Sequence, residues 1–375
     1  MPIGFVYRVA DAIRCACPIV DESIDAPLAI RGQRKRMTNQ PPPVLRIGMI
    51  GAGWVTQHHL AAWRREASRA RVVAIADPSV DRARSRSQSY GIHSVYESAA
   101  AMFASERLDA VDIATPRETH AELVRLAASH GVSALCQKPL APTLELARAL
   151  VEEVDKVAGM RLMVHENWRF RAYYRQIAQW LRGGRIGRVL QAQMTLASSG
   201  LLPNERGALP LLVRQPFMAS LERALVSEIL IHHLDTLRSL LGEMRVVHAR
   251  IGRQSEAMSG EDHAAITLDT AEGATVQLLA NLCAHGEPAT LTDRLLLVGQ
   301  TGTIRLDADV LVCSSAEPAH LRFDLDACYA DSYAAAIGHF LDGLTSGAPF
   351  ETGPLDNLRT LRLVEDVYAQ AKDAR

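Results

Sequence analysis

The sequence predicts an α/β chain: a doubly wound parallel sheet in its N-terminal half, then an α+β part with an open-faced, mostly antiparallel sheet and helices. Three observations predict this. From Leu45 to about residue 166, short apolar runs alternate with longer stretches of helical period. After Asn167 that rhythm stops, and extended segments follow one another without intervening helices. Between the first apolar run and the first helical stretch lies Gly51-Ala52-Gly53, a turn that can take the chain sharply from a strand into a helix.

Residues 1–44 show no sustained period, carry the basic cluster Arg34, Lys35 and Arg36, and end in Pro41-Pro42-Pro43. They are expected to form a poorly ordered extension. Met37 lies eight residues before the first strand, so a genuine arm and an over-long assigned start both remain open. The first domain, 45–166, carries strands near 45–50, 71–76, 109–114, 132–136 and 160–165, with helices near 55–66, 80–89, 117–130 and 143–157. The second, 167–375, has extended segments at 188–197, 245–253, 263–269, 274–282, 293–299 and 303–313. Helical patterns around 330–345 and 354–372 close the chain and are expected to pack back on the first domain.

Composition narrows the partners. With 41 Lys plus Arg against 42 Asp plus Glu, the net charge is −1, so no overall field favours nucleic acid or an anionic membrane. A small-molecule partner is expected. The six cysteines, Cys15, Cys17, Cys136, Cys283, Cys313 and Cys328, lack the spacing of a zinc site or disulfide framework, which predicts no metal and a reducing, cytoplasmic setting. No apolar run approaches the roughly 18 residues of a membrane span, and the start has no signal-peptide pattern.

The glycine turn has the context of a dinucleotide site. Leu45 to Ile50 reads as a buried strand and runs directly into Gly51-Ala52-Gly53-Trp54-Val55-Thr56, which opens a helix. In a Rossmann domain the first glycine allows the tight turn and the second lets backbone approach a pyrophosphate. The helix N-terminus then supplies free amides and the positive end of its dipole. Thr56 replaces the third glycine. A second strand ends at Asp77, 26 residues after Gly51, in the range of the acid that binds the adenosine ribose. An acid there disfavours a 2′-phosphate and predicts NAD; Arg82 and Arg84 could offset its charge, which keeps NADP as the second candidate.

Two further strand ends carry polar residues where open α/β sheets hold ligands. One is Thr115-Pro116-Arg117-Glu118-Thr119-His120; the other is Gln137-Lys138-Pro139. Farther on, Glu228, His232 and Asp235 fall at i, i+4 and i+7, the spacing of one helix face, while His233 turns toward an apolar stripe with Leu237 and Leu240. Burying several ionisable groups on one face is costly without a task.

Taken with Asp77-Pro78, Asn167-Trp168-Arg169-Phe170, Gly184-Arg185-Ile186-Gly187 and His232-His233-Leu234-Asp235, these motifs resemble the Gfo/Idh/MocA oxidoreductases, from about Leu45 to Ala374. The resemblance implies that Gly51, Ala52, Gly53, Trp54, Val55, Asp77, Thr115, Pro116, His120, Gln137 and Lys138 face the cofactor. It implies that Lys138, His232 and Glu228 form the catalytic set, His232 as general base and Glu228 orienting it or stabilising its charge. Asn167, Trp168, Arg169 and Asp235 become candidates for the substrate, a sugar, polyol or inositol; hinge packing and an ion pair are the other reading of that turn. Two positions depart from the family pattern: its usual Glu before the lysine is Gln137, and its usual Asp is Glu228. The resemblance implies an NAD(P)-dependent oxidoreductase acting on a hydroxyl-bearing carbon. An NAD-dependent glycosidase working by transient oxidation and a non-catalytic sensor are the alternatives. A homodimer or homotetramer through the exposed sheet face is expected.

Overall fold

The computed structural model describes residues 44–373. The expected N-terminal extension, with Cys15, Cys17 and Arg34 to Arg36, lies outside the described residues. The parallel part contains β1 (Leu45–Ile50), α1 (Thr56–Arg65), β2 (Ala70–Ala76), α2 (Val80–Tyr90), β3 (Ser94–Tyr96), α3 (Ala99–Ser105), β4 (Ala110–Ile113), α4 (His120–Ser129), β5 (Ser133–Gln137), α5 (Leu144–Val154) and β6 (Leu162–His165). Its strands lie in the order β3-β2-β1-β4-β5-β6, all parallel. The order reverses between β1 and β4, so a crevice opens beyond their carboxyl ends. Helices cover both faces, which is why Ile47, Met49, Val111 and Ile113 are all fully buried. The short β3 and α3 were absent from the sequence expectation; three and seven residues are too few to show a period.

The second part contains α6 (Ala172–Arg182), β7 (Val189–Ala197), α7 (Pro210–Arg214), α8 (Ile231–Leu241), β8 (Met244–Gly252), β9 (His263–Thr270), β10 (Thr275–Asn281), β11 (Thr292–Gly299), β12 (Thr303–Asp307), β13 (Val310–Ser314), β14 (Ala319–Arg322), α9 (Leu325–Ser346) and α10 (Pro354–Asp373). Its sheet runs β14-β13-β12-β11-β7-β10-β9-β8, antiparallel except for the β7–β10 pair. Alternation sets its faces: Ala264, Ile266 and Leu268 of β9 and Val276, Leu278 and Ala280 of β10 point inward, and the residues between them, Leu279 apart, are polar or small. The segment 303–313, expected as one strand, is a hairpin that turns at Ala308, whose φ is 54°.

The Asp324 side chain caps α9 by accepting from the Ala327 amide. That helix then lies on the parallel part, where Ile337, Phe340 and Leu341 share a buried cluster with Ile47, Ala62 and Trp63. Ion pairs Arg65–Asp331 (2.6 Å) and Arg69–Asp342 (2.5 Å) rim the contact. No helix among the described residues is long and apolar enough to cross a membrane.

Candidate active site

The glycine turn has the shape a dinucleotide requires. Gly51 sits at φ 102°, and a Cβ there would collide with the Ala114 carbonyl, so only glycine lets β1 pass this close to β4. A Cβ on Gly53 would meet nothing within 4 Å: the space in front of the turn is open. The start of α1 has no side-chain cap and no acidic residue in its first turn, leaving its amides for an anion. Thr56 takes the third glycine's place by donating its hydroxyl to the Gly51 carbonyl (3.1 Å), which closes the turn from within. Asp77 lies beside the turn, accepting from the amides of Ala52 (2.7 Å) and Ser79 (2.8 Å), and pairs with the exposed Arg82 (3.1 Å). The free amides, the open space before Gly53 and the buried acid fit NAD. Trp54 is largely exposed at the mouth of the turn, its ring against His58 (4.7 Å), and Val55 forms the helix N-cap.

Lys138 follows β5 directly, at the carboxyl edge of the sheet. Its Nζ donates to the backbone carbonyl (2.8 Å) and the carboxylate (3.1 Å) of Glu228, so a cation from the parallel part meets an acid from the second part. Glu228 also accepts from Arg117 (2.8 Å), at the end of β4. His120 braces the two strand-end loops: one ring nitrogen meets the Thr115 carbonyl (2.9 Å), the other the Pro139 carbonyl (2.8 Å). Burial, and then the Lys138 charge, lower its pKa against those two carbonyls. Thr115 is tied to Thr119 (2.8 Å), and Gln137 accepts from the Lys138 amide (2.9 Å).

The expected helix face needs correcting. Glu228 lies in a π-helical turn, Leu225–Leu230, and α8 starts only after it. The wider turn shifts the phase, so Glu228 and His232 do not share a partner. Glu228 engages Lys138 and Arg117. His232 instead places Nδ1 2.5 Å from Oε1 of Glu166, at the end of β6, so the acid against its ring is Glu166 and not Glu228. The Trp168 indole stacks on His232 at 4.5 Å and 16°, and Arg171 lies 3.3 Å above the indole. His233, expected on an apolar stripe, is buried with Nε2 against Asp293 (2.9 Å). Burial lowers the pKa of His232 well below 6.5, with Lys138, His233 and Arg171 acting in the same direction. Burial raises Glu166 to about 7, against the opposing pull of Lys138.

Of the four substrate candidates, Trp168 alone stands against the catalytic set. Asn167 donates to Ser332 on α9 (2.7 Å). Arg169 and Asp235 form a buried two-pronged pair (2.6 Å each), to which Asp356 (2.7 Å) and Thr360 (3.0 Å) add contacts. Their polar groups are engaged inside the chain, which is the hinge-packing alternative. Arg117 lay within a surveyed strand end without being given a role, and Glu166 escaped the sequence reading; it follows β6 at the carboxyl edge, so a survey of every strand end would have found it.

Comparison with known proteins bears on this geometry. Residues 45–166 match the oxidoreductase family with an NAD-binding Rossmann fold (GFO_IDH_MocA), and residues 174–305 match the GFO/IDH/MocA C-terminal domain. The D-apiose dehydrogenase of Paraburkholderia graminis is 35% identical over 340 residues, spanning 87% of this chain and 88% of that protein. Inositol 2-dehydrogenase 3 of Saccharopolyspora erythraea is 28% identical over 314 residues, 81% of this chain and 86% of that one. The crystal structure of an oxidoreductase from Agrobacterium radiobacter in complex with NAD+, L-tartaric acid and magnesium superposes with a TM-score of 0.79 at 32% identity, covering 89% of this chain and 98% of that chain.

Proposed function

The chain belongs to the Gfo/Idh/MocA oxidoreductase family, and on that premise we propose that this NAD-dependent dehydrogenase oxidises a CH–OH group of a small sugar or polyol, D-apiose being the first to try. The observation that carries the reading is the meeting of Lys138 with Glu228 at the carboxyl edge of the sheet that bears the NAD turn, with the buried His232 within reach of the Lys138 charge. Bound NAD supplies the hydride acceptor. Lys138 holds the substrate hydroxyl: an ammonium has three donors, two of which are anchored on Glu228, leaving the third for a substrate oxygen. Glu228 and Arg117 fix where that ammonium points. His232, kept neutral by burial and by the Lys138 charge, accepts the hydroxyl proton at Nε2. The Trp168 face keeps the imidazole from rotating out of that geometry.

Among the described residues the cysteines are free and buried, which supports a cytoplasmic enzyme. The face of the eight-stranded sheet left uncovered among the described residues supports a homodimer or homotetramer. The test incubates the protein with NAD or NADP and a panel of D-apiose, other aldoses and inositols, following absorbance of the reduced nicotinamide. Turnover with NAD on one of these, reduced about 100-fold or more in Lys138→Ala and His232→Ala, is expected. Unchanged turnover in both variants would overturn the residue assignment.

A further inference from the structure

We infer that Glu166 is the positioning partner of His232, fixing its ring with Nε2 toward the substrate and taking up the Nδ1 proton as Nε2 gains one. This rests on reading His232 as the base. The geometry carries it in three ways. First, the Nδ1 to Oε1 separation of 2.5 Å requires a proton between the two atoms, and Nε2 has no partner among the described residues. Second, one turn of chain holds both groups: the Trp168 amide donates to the same Oε1 (3.2 Å) while the Trp168 ring stacks on His232. Third, Glu166 is buried, and its other oxygen, Oε2, has no partner among the described residues. An orphaned buried carboxylate oxygen marks a group kept for a task rather than for packing. Glu228, the other acid of the site, is fully engaged with two cations.

The pair titrates as a unit. With one proton, that proton lies on Nδ1 against the Glu166 carboxylate, and Nε2 is free to act as a base. With two, the acid donates to Nδ1, Nε2 carries a hydrogen and the base is blocked. During oxidation the substrate O–H bond breaks and its proton goes to Nε2, while the Nδ1 proton moves to Oε1 of Glu166. The C–H electron pair departs as hydride to NAD, and the carbonyl forms. The site thus ends with a neutral ring and a neutral acid instead of an imidazolium beside Lys138. A proton released to water then restores the one-proton form. The charged groups around the pair are Lys138 after β5, Arg171 ahead of α6, His233 and Asp235 on α8, and Arg169 beside the Trp168 turn. His165 of β6 and Tyr333 of α9 complete the surround. The three cations disfavour the second proton, and burial of the acid favours it.

The experiment compares Glu166→Gln, Glu166→Asp and Glu228→Gln with wild type, measuring kcat and KM for alcohol oxidation across pH, alongside nitrogen-15 NMR of the histidine rings in the protein without NAD. In wild type, kcat/KM is expected to rise with pH through an apparent value of about 7. Glu166→Gln should lower kcat about 100-fold with little change in KM and abolish that limb, and Glu166→Asp should restore part of both. The NMR should find the His232 proton on Nδ1 above neutrality, with a titration that Glu166→Gln removes. A Glu166→Gln enzyme with wild-type kcat and limb overturns the proposal. So does a wild-type His232 protonated on Nε2 above neutrality, a result that stands even where a variant does not fold. Full turnover in His232→Ala instead overturns the assignment of the base, which separates the two failures.

Discussion

Gln137 matters because an amide can both donate and accept. Its Oε1 accepts from the Lys138 amide (2.9 Å), while its Nε2 contacts Nε2 of His59 (3.1 Å). His59 in turn meets the Asp112 carboxylate through Nδ1 (2.8 Å), and Trp63 donates to that same oxygen (2.7 Å). One arrangement satisfies every link: His59 gives its proton to Asp112 and receives one from the Gln137 amide. The buried acid of β4 thereby reaches the backbone of Lys138. A carboxylate at 137, the usual residue of the family pattern, has no proton to give to His59. Gln137→Glu is expected to lower stability by about 1–3 kcal/mol above neutral pH, the cost of an unpaired buried group. Urea unfolding checks this; a Gln137→Glu variant as stable as wild type would argue against the relay. Lys138 itself was legible because it follows an apolar strand within Gln137-Lys138-Pro139, one of the motifs that carry the family resemblance. The relay was not: Asp112 and His59 look like isolated polar residues inside apolar elements, and only tertiary contact makes them partners.

At the scale of elements, the site depends on how the π-helical turn and α8 are held against the rest. Glu261 accepts from the Ala224 (3.2 Å) and Val226 (3.0 Å) amides at the start of the π-helical turn, and Tyr368 of α10 donates to the same oxygen (2.6 Å). Nothing in Leu225-Val226-Ser227-Glu228-Ile229-Leu230 announces a wide turn. The i, i+4, i+7 pattern therefore put Glu228 and His232 on one face, where the structure gives them different partners. Asp293 of β11 is the second anchor, taking contacts from His233 (2.9 Å), Tyr174 (2.8 Å), Trp168 (3.0 Å) and Arg171 (3.2 Å). Burial alone would raise its pKa, but His233, Arg171 and Tyr174 outweigh that and hold it well below the ordinary 3.8. An acid depressed in the folded state contributes stability above its unfolded pKa and loses it as pH falls through the folded value. Asp293→Asn leaves the buried Arg171 without its counter-charge, so a loss of about 3–5 kcal/mol at neutral pH is expected. Denaturant midpoints should show the gap to wild type closing below the ordinary 3.8 of an aspartate. A gap that persists there would assign the loss to packing.

At the scale of the molecule, the described residues cover only one face of the eight-stranded sheet. Met194, Leu278 and Leu295 point into the core, while their neighbours Leu279 and Leu296 are only partly buried on the other side. Register places Leu279 beside Thr195 and Ala265, and Leu296 beside Gln193, so the outer face mixes apolar and polar side chains. Alternation in the sequence made this open face legible, because each strand's inward and outward sets can be read directly. The occupant proposed for it, a second copy, was not legible, since a partner leaves no period. Eight strands about 4.8 Å apart and roughly 20 Å long present about 800 Å². That is about the area each partner contributes to a stable interface. A twofold pairing uses the same patch of both subunits, so a charge introduced on the face is buried twice in the interface. The combined Leu279→Lys and Leu296→Lys variant is therefore expected to fall to the mass of one chain, 41.0 kDa, in light scattering, while wild type runs at twice or four times that mass. Circular dichroism and NAD binding should be unchanged, because both substitutions lie outside the core and on the sheet that does not carry the glycine turn. A wild-type protein that scatters as a single chain at micromolar concentration would overturn the pairing outright.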